Sequence, residues 1–439
     1  MFLTPTLTVS LPAIVANWQT LRARFTGDEC AAVVKADAYG LGAVAVSQAL
    51  EKAGCHTFFV ATLEEGIALR EALPDVRILV FHGVLAGEEF AFAAHQLIPV
   101  LNSLPQIERW KPVAAEHVHA VSALHIDTGM ARLGLQPAEF GSLVARERDV
   151  LAACRVGLIM SHFACAPDPD HPLNAEQLTR FEAARMHAPH IPASLCNSGG
   201  IFLPRAFHFH LARPGCSLYG IAPQARSADA KREAGSASPL AGEATRLSEH
   251  RELSRSGEGA SHRAEAHHHT PSPNPSTREI DADASISRAR SPQGERASPA
   301  APLAHNPMHH VATWNAPILM TRTLEREQTI GYGASATAAK GTRIATVASG
   351  YADGYSRHLS NKAVGYIGEH KINLLGRVTM DMLCFDVTNV PESLTHEGAP
   401  ITLLGDRDGI RVDDVAEAAG TIGYEVLTRI GARVKRVYG

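Results

Sequence analysis

Short apolar runs alternate with helical patterns through the first half of the chain, and this alternation constrains the fold more than any other feature. Residues 31–34 form an apolar run that ends at Lys35. A helical pattern follows over 43–53 and stops at Gly54. Residues 58–60 read as a strand, 64–73 as a helix stopped by Pro74, and 78–81 as another strand. Later strands are expected at 123–126 and 156–160, and a helix at 175–186 with Asn174 as its N-cap. Such a sequence points to a parallel sheet with crossover helices.

Alternation alone does not separate an open sheet from a closed barrel. The position of the polar residues does. Lys35, Asp127, His162, Asn197 and Arg213 each follow a different strand. A barrel gathers all its strand ends around one mouth, whereas an open sheet gathers few. The expected fold class is therefore α/β, with a (β/α)8 TIM-type barrel over residues 1–223.

The texture changes in the last third. Short β-type runs at 318–323, 343–347, 364–367, 372–375, 382–387 and 401–404 are separated by Gly-rich turns. Two helical segments follow, at 412–419 and 424–430. This predicts a C-terminal, mostly antiparallel β domain over 307–439. Between the two lies a stretch, 224–306, rich in Ser, Pro, Ala, Arg, Glu and His and nearly devoid of large apolar residues. Such a composition cannot offset its own ordering entropy, and the stretch is read as a disordered insert. The fragments Ser238-Pro239-Leu240-Ala241-Gly242-Glu243 and Ser291-Pro292-Gln293-Gly294-Glu295-Arg296 look like mirror-related ends of one inserted repeat. His267, His268 and His269 within it read as a solvated tract, and no metal site is assigned.

The chain has 439 residues, 45% of them hydrophobic and 20% charged, as in a globular enzyme of two domains. A formal net charge of −4 gives no reason to expect a nucleic acid or an anionic membrane as partner. No apolar run approaches the ~20 residues needed to span a bilayer. Residues 1–12 lack the pattern of a secretory signal. Seven Cys are scattered without a Cys-x-x-Cys pair, which reads as reduced thiols in a cytoplasmic protein.

Val33-Val34-Lys35-Ala36-Asp37-Ala38-Tyr39-Gly40-Leu41-Gly42 carries the sharpest chemical signal. A lysine at the end of a buried strand either snorkels to solvent, the ordinary case, or serves as an imine-forming or low-pKa amine. Gly40 and Gly42 open a helix whose N-terminus suits a phosphate. Arg213-Pro214-Gly215-Cys216 and Asn197-Ser198-Gly199-Gly200 are further anion-binding turns. A strand-end lysine, a phosphate cup and an arginine together meet the requirements of a pyridoxal 5'-phosphate (PLP) site.

These segments resemble the alanine racemase family. The resemblance runs from the N-terminus to about Pro223 and from about Met308 to Gly439. It rests on Val33 through Gly42, on Asp127-Thr128-Gly129-Met130-Ala131-Arg132-Leu133-Gly134, and on Ser161-His162-Phe163-Ala164. Arg213-Pro214-Gly215, Tyr219-Gly220, Gly331-Tyr332-Gly333-Ala334, Gly350-Tyr351-Ala352-Asp353-Gly354 and Gly376-Arg377-Val378-Thr379-Met380-Asp381 complete it.

The resemblance implies a PLP-dependent enzyme that interconverts L- and D-alanine, for peptidoglycan synthesis or alanine catabolism. It implies a homodimer in which each active site draws on both chains. Lys35 and Tyr332, the latter from the second chain, are the two implied bases. Tyr39, Ser198, Gly215, Cys216 and Tyr424 are the implied phosphate ligands. Arg213 is implied at the pyridine nitrogen, where a permanently protonated guanidinium donates no proton to the ring and so makes transamination rarer. Arg213 and His162 are implied as the cationic neighbours that a tyrosine, with a free pKa of about 10, requires to act as a base. Arg132 and Met380 are implied at the substrate carboxylate, with Tyr351 and Asp381 narrowing the entrance. Many relatives carry a carbamylated lysine two residues before the Asp-Thr-Gly-Met motif. His125 stands there in this chain, so another anion holds Arg132 or the arginine is held differently. The alternatives are a racemase of broader specificity and a PLP-binding protein disabled by the insert. A decarboxylase on the same architecture is disfavoured by Arg213, and a carrier by Tyr332.

Overall fold

A computed structural model describes residues 4–224, 303 and 305–439, which fall in one compact unit. The disordered-insert reading of 224–306 and the tract His267–His269 lie outside the described residues, apart from Gln224, Leu303, His305 and Asn306.

The first half closes into a barrel. Glu29–Cys30 (β2) and Ala32–Val33 (β3) are two halves of one extended run, and Thr6–Val9 (β1) precedes them. Thr57–Val60 (β4), Arg77–Val80 (β5), Ile98–Leu101 (β6), Ser122–His125 (β7), Val156–Met160 (β8) and Ala193–Ser194 (β9) follow in parallel and in chain order from β3. Leu211–Ala212 (β10) pairs in parallel with β2 and takes the eighth place. The Arg213 N–H donates to Cys196 O at 2.9 Å on the β9 side, and the Ala31 N–H donates to Ala212 O at 2.9 Å on the β2 side. The ring is thereby continuous, the (β/α)8 arrangement that the scattered strand-end residues predict.

Inside the ring, Ala31, Val33, Phe59, Leu79, Val100, Ala123, Leu158, Met160 and Leu211 form a core of their own. A second, larger core fills the space between strands and helices. The strands at Ile98–Leu101, Ala193–Ser194 and Leu211–Ala212 and the helix Leu104–Glu116 go beyond the elements read from the sequence. Asn174 is not the N-cap predicted for its helix. That helix is Pro172–Arg185, and His171 caps it, its Nδ1 accepting from the Leu173 N–H at 3.2 Å. Pro172, with its φ preset, starts the helix three residues early. Asn174 is buried inside it and donates to Asp168 O at 2.8 Å.

The last third forms Ala312–Thr323 (β11), the small hairpin Gln328–Ile330 (β12) and Ala336–Ala338 (β13), then Arg343–Val347 (β14), Val364–Ile367 (β15), His370–Leu374 (β16), Leu383–Asp386 (β17), Pro400–Leu404 (β18) and Lys435–Tyr438 (β19). The eight-stranded sheet has the order β14-β17-β16-β15-β18-β11-β1-β19, and a further β14–β11 pairing closes it on itself. All pairs are antiparallel except β1 with β19. Thus Thr6–Val9, from the chain's beginning, is built into the C-terminal sheet between β11 and β19.

The flanks of the insert meet. The Leu303 N–H donates to Gln224 Oε1 at 3.2 Å, and Asn306 Nδ2 donates to Gly220 O at 2.8 Å. The compact unit therefore continues across the insert without needing its length. Excising residues 228–298 is expected to leave the far-UV circular dichroism unchanged and the melting temperature within a few degrees. Loss of soluble folded protein on excision would contradict this.

Candidate active site

On a barrel strand, alternate residues point inward. Val33, Leu79, Ala123, Met160 and Leu211 belong to the interior core. Two positions further along the same faces come Lys35, Phe81, His125, His162 and Arg213. These five line one cavity of about 520 Å³, together with Tyr39, Arg132, Asn197, Ser198, Gly215, Cys216 and Tyr424. Phe81, which lines it, packs on Phe59 of the interior core. Phe59 and Phe81 stack at 5.0 Å, Lys35 Nζ sits 5.5 Å from the Phe81 ring, and the Arg213 guanidinium sits 6.0 Å from the Phe59 ring.

Lys35 opens an unusual turn. Ala36, Asp37, Ala38 and Tyr39 all have left-handed backbone angles, with φ between 52° and 59°. For non-glycine residues each such angle costs roughly 1–2 kcal/mol. Specific bonds offset it. Glu65 Oε1 accepts from the Ala36 N–H and Glu65 Oε2 from the Ala61 N–H, both at 2.7 Å. Asp37 Oδ1 accepts from the Ala43 N–H at 2.7 Å. This corrects the phosphate reading of Gly40 and Gly42. Both glycines lie outside the cavity, and the Asp37 carboxylate already occupies the N-terminus of the helix Ala43–Lys52. Glu65 was not anticipated from the sequence. Its one signal there is the Thr62-x-x-Glu65 spacing of a capping box, which the structure contains. Burial lowers the basicity of Lys35, Arg132 lowers it further, and Glu65 raises it.

The anion cup lies across from this turn. Ser198 Oγ accepts from the Gly215 N–H at 3.0 Å and the Ser217 N–H at 3.3 Å. Tyr424 Oη donates to Cys216 Sγ at 3.0 Å. A Cβ on Gly215 would lie 2.5 Å from Tyr39 Oη, so only glycine lets the tyrosine close in. Burial raises the pKa of Tyr39, Tyr424 and Cys216, and all three keep their protons. Arg213 is buried, donates to Ser194 Oγ and Ser161 O, and leaves Nε without a partner. Burial brings it down only to about 10, so it stays cationic. His162 lies 3.5 Å from Arg213 Nη2 through Nδ1, and burial with Arg213 and Arg132 pushes it well below the usual histidine range. Burial thus favours the neutral imidazole over the cation that the resemblance implies, and the charge beside it belongs to the arginines.

Not every predicted residue joins the cavity. Asp127 points away and accepts from the N–H groups of Gly129, Met130 and Ala131, shaping the loop that carries Arg132. Tyr332, Tyr351, Met380 and Asp381 lie outside it as well. They are exposed on the C-terminal domain, Tyr332 to 75%. The Tyr351 and Met380 segments are joined, the Tyr351 N–H donating to Thr379 O at 3.0 Å and the Ala352 N–H to Met380 O at 2.9 Å.

A barrel mouth that joins a weakened lysine base, a hydroxyl-and-amide cup and a buried guanidinium defines a lysine-dependent enzyme for an anionic ligand. Residues 9–223 match the family described as alanine racemase, N-terminal domain, and residues 311–438 match alanine racemase, C-terminal domain. An alanine racemase of Rhodospirillum rubrum is 41% identical over 99% of this chain and 96% of its own length. One of Rhizobium meliloti is 37% identical over 98% and 96%. The crystal structure of alanine racemase from Bartonella henselae, with covalently bound pyridoxal phosphate, superposes with a TM-score of 0.76 at 30% identity, covering 99% of both chains. The chain belongs to the alanine racemase family.

Two outcomes follow from this geometry. Glu65→Ala strips the Ala36 and Ala61 N–H groups of their acceptor and is expected to destabilise the fold by about 2–4 kcal/mol, whereas Glu65→Gln, which keeps one oxygen, costs less. Urea unfolding midpoints of the two variants measure the difference, and equal midpoints would deny the bridge. The second outcome concerns pH. Burial, then Arg213, depresses His125 from 6.5 to about 4. The unfolded chain binds a proton that the folded chain refuses, so stability present at neutral pH is lost as pH falls from about 6.5 toward 4. His125 alone contributes about 3 kcal/mol over that window. His162 acts in the same direction. The drop in midpoint between pH 7 and pH 5 is expected to be smaller in His125→Gln than in the parent protein, and an unchanged drop would remove His125 from the account.

Proposed function

We propose that this protein is a PLP-dependent alanine racemase that works as a homodimer in the cytoplasm and serves D-alanine supply for peptidoglycan or alanine catabolism. One observation carries the reading: Lys35, the Ser198–Gly215–Cys216 cup and Arg213 converge on one cavity at the barrel mouth. The seven cysteines are all free thiols, which accords with a reducing compartment. Among the described residues no helix is long and apolar enough to cross a membrane.

The residues present fit the cofactor. The unpartnered Arg213 Nε suits a ring-nitrogen acceptor. The protonated hydroxyls of Tyr39 and Tyr424 and the hydroxyl of Ser198 suit a phosphate, and Gly215 leaves the room that a Cβ would fill. Lys35, half-buried and of lowered basicity, suits a covalent attachment. When bound, PLP withdraws electrons from the α-carbon of an amino acid and makes its proton acidic.

Lys35 then takes or returns the α-proton on one face of alanine. The other face requires a second base, and Tyr332 of a second copy supplies it, since Tyr332 does not line its own chain's cavity. Arg132 receives the substrate carboxylate, with the Met380 N–H of the second copy beside it. Tyr351 and Asp381 of that copy narrow the entrance and keep the pocket small enough for alanine. Arg213 and Arg132 are the fixed positive charges that favour an ionised tyrosine near the neutral His162.

Incubation with L-alanine in deuterated water is expected to yield D-alanine with α-deuterium. Lys35→Ala and Tyr332→Phe should each abolish it. Mixed and reassembled, the two inactive variants are expected to recover about a quarter of the parent activity, because each hybrid dimer holds one intact site. Exchange without racemisation would sink the two-base reading, and failure of the mixture to recover would sink the shared site.

A further inference from the structure

A second cavity, of about 460 Å³, shares no lining residue with the barrel mouth. Its size is that of a small-molecule site. The strands β11 and β18 supply Trp314 and Leu404, which pair across the C-terminal sheet. The turn Arg357–Leu359 supplies Leu359, and the helices Val412–Ala419 and Gly423–Thr428 supply Val415 and Val426. These side chains make much of the lining apolar.

Two buried donors interrupt that lining. Trp314 is buried, and its Nε1 has no hydrogen-bond partner. Its register shifts at a bulge between Trp314 and Asn315. Bulges of this kind re-aim side chains. Tyr355 is buried edge-on against it, with ring centroids 5.8 Å apart. Its hydroxyl has no hydrogen-bond partner among the described residues. Burial pushes the Tyr355 hydroxyl up, so it keeps its proton and remains a donor. A buried donor without an acceptor is costly and uncommon, and two side by side on one cavity wall call for a shared acceptor. Trp110 Nε1 is also unpartnered, but Trp110 lines neither cavity.

Charge lies at the exposed side of the same cavity. Glu425 is already engaged, because Thr421 Oγ1 donates to its Oε2 and Arg429 Nε pairs with its Oε1 at 3.1 Å. Lys362 is exposed, lines the cavity, and has no acidic partner among the described residues. An ion taken as deep as Trp314 and Tyr355 would lose its hydration, whereas a carbonyl oxygen there loses little. The arrangement therefore fits a ligand with a neutral acceptor at its inner end and an anion at its outer end.

We propose that this cavity is a second ligand site, taking a small oxo-carboxylic acid whose carbonyl accepts from Trp314 Nε1 and the Tyr355 hydroxyl and whose carboxylate faces Lys362. The site is independent of the racemase reading. It does adjoin the barrel mouth: in and beside the helix Gly423–Thr428, Glu425, Val426 and Arg429 line this cavity, whereas Tyr424 and Thr428 line the other. An occupant rests against the back of the helix that brings the Tyr424 hydroxyl to Cys216.

The test is calorimetric titration of the full chain, supplied with PLP, with 4-acetylbenzoate as probe. Two truncated probes accompany it, 4-isopropylbenzoate, which lacks the carbonyl, and acetophenone, which lacks the carboxylate. 4-Acetylbenzoate is expected to bind about fivefold more tightly than either. Trp314→Phe and Tyr355→Phe each remove one donor and are expected to weaken it about fivefold, and to leave 4-isopropylbenzoate unaffected. Lys362→Met is expected to weaken the carboxylate probes about threefold, an effect that 1 M salt removes. Lys362 is exposed, so this variant decides the matter even where a buried substitution prevents folding. Absence of binding at millimolar 4-acetylbenzoate would overturn the proposal, as would equal affinity in the parent and all three variants. Displacement of the probe by L-alanine would assign it to the barrel mouth and overturn it too. A chain that does not racemise alanine refutes the racemase reading alone, since the affinities of the variants still decide this site.

Discussion

The strand that ends at Lys35 is hydrogen-bonded along both edges, and the architecture of the site depends on that double pairing. On one edge the Ala31 and Val33 N–H groups donate to Ala212 O and Pro214 O, both at 2.9 Å. On the other the Val34 N–H donates to Phe59 O at 2.9 Å. The first and last strands of the barrel thus meet beside the lysine. Pro214 and Gly215, which continue the last strand, are drawn against Val33 and Tyr39 by the same bonds. The phosphate-type cup and the lysine are neighbours because the barrel closes, although more than 160 residues separate them in the chain. Were the sheet open, β2 and β10 would form its two edges, and the pair would be as far apart in space as any two strands of the fold.

Closure also sets the electrostatics. Lys35, Arg132 and Arg213 share a cavity, and among the described residues the only carboxylate acting on Lys35 is that of Glu65. Concentrated positive charge with poor solvation drives every protonatable neighbour to neutrality. His125 and His162 are both held down for that reason, and the amine of Lys35 is weakened by it. A cavity of this kind selects ligands that bring negative charge with them, as a phosphate and a carboxylate do.

Much of this was legible in the sequence, and the remainder was hidden for identifiable reasons. The strand ending at Lys35 and the run Val156–Met160 were readable because buried parallel strands are uniformly apolar. The two-residue strands β9 and β10 carry too few residues for any period to register. Thr6–Val9 reads as a strand only once its partners β11 and β19, over 300 residues away, are in place. Its pairing is a non-local fact. The left-handed turn at Ala36–Tyr39 runs against local preference, and nothing in Ala-Asp-Ala-Tyr announces it. It persists because Glu65, Asp37 and the packing of Tyr39 on Tyr219 and Tyr424 hold it. The cationic role of His162 came from the resemblance alone, and the sequence carries no sign of the burial that favours its neutral form.

The cavity of a single chain is chemically one-sided. It contains one amine base, an anion cup, two arginines and the imidazoles of His82, His125 and His162, and its two tyrosines, Tyr39 and Tyr424, keep their protons. The residues whose chemistry would complete it, Tyr332 and the Tyr351–Met380 pair, stand exposed on the other domain, Tyr332 on a turn whose flanking glycines have φ of 68° and 70°. A tyrosine held that far into solvent by two left-handed glycines stabilises nothing in its own chain. Such a turn is better explained as a projection shaped to enter another molecule's recess than as a loop left over from folding. In the homodimer proposed above, that recess would be the barrel mouth of an identical chain, and an isologous pair would satisfy both needs at once, because each chain has one mouth and one projection.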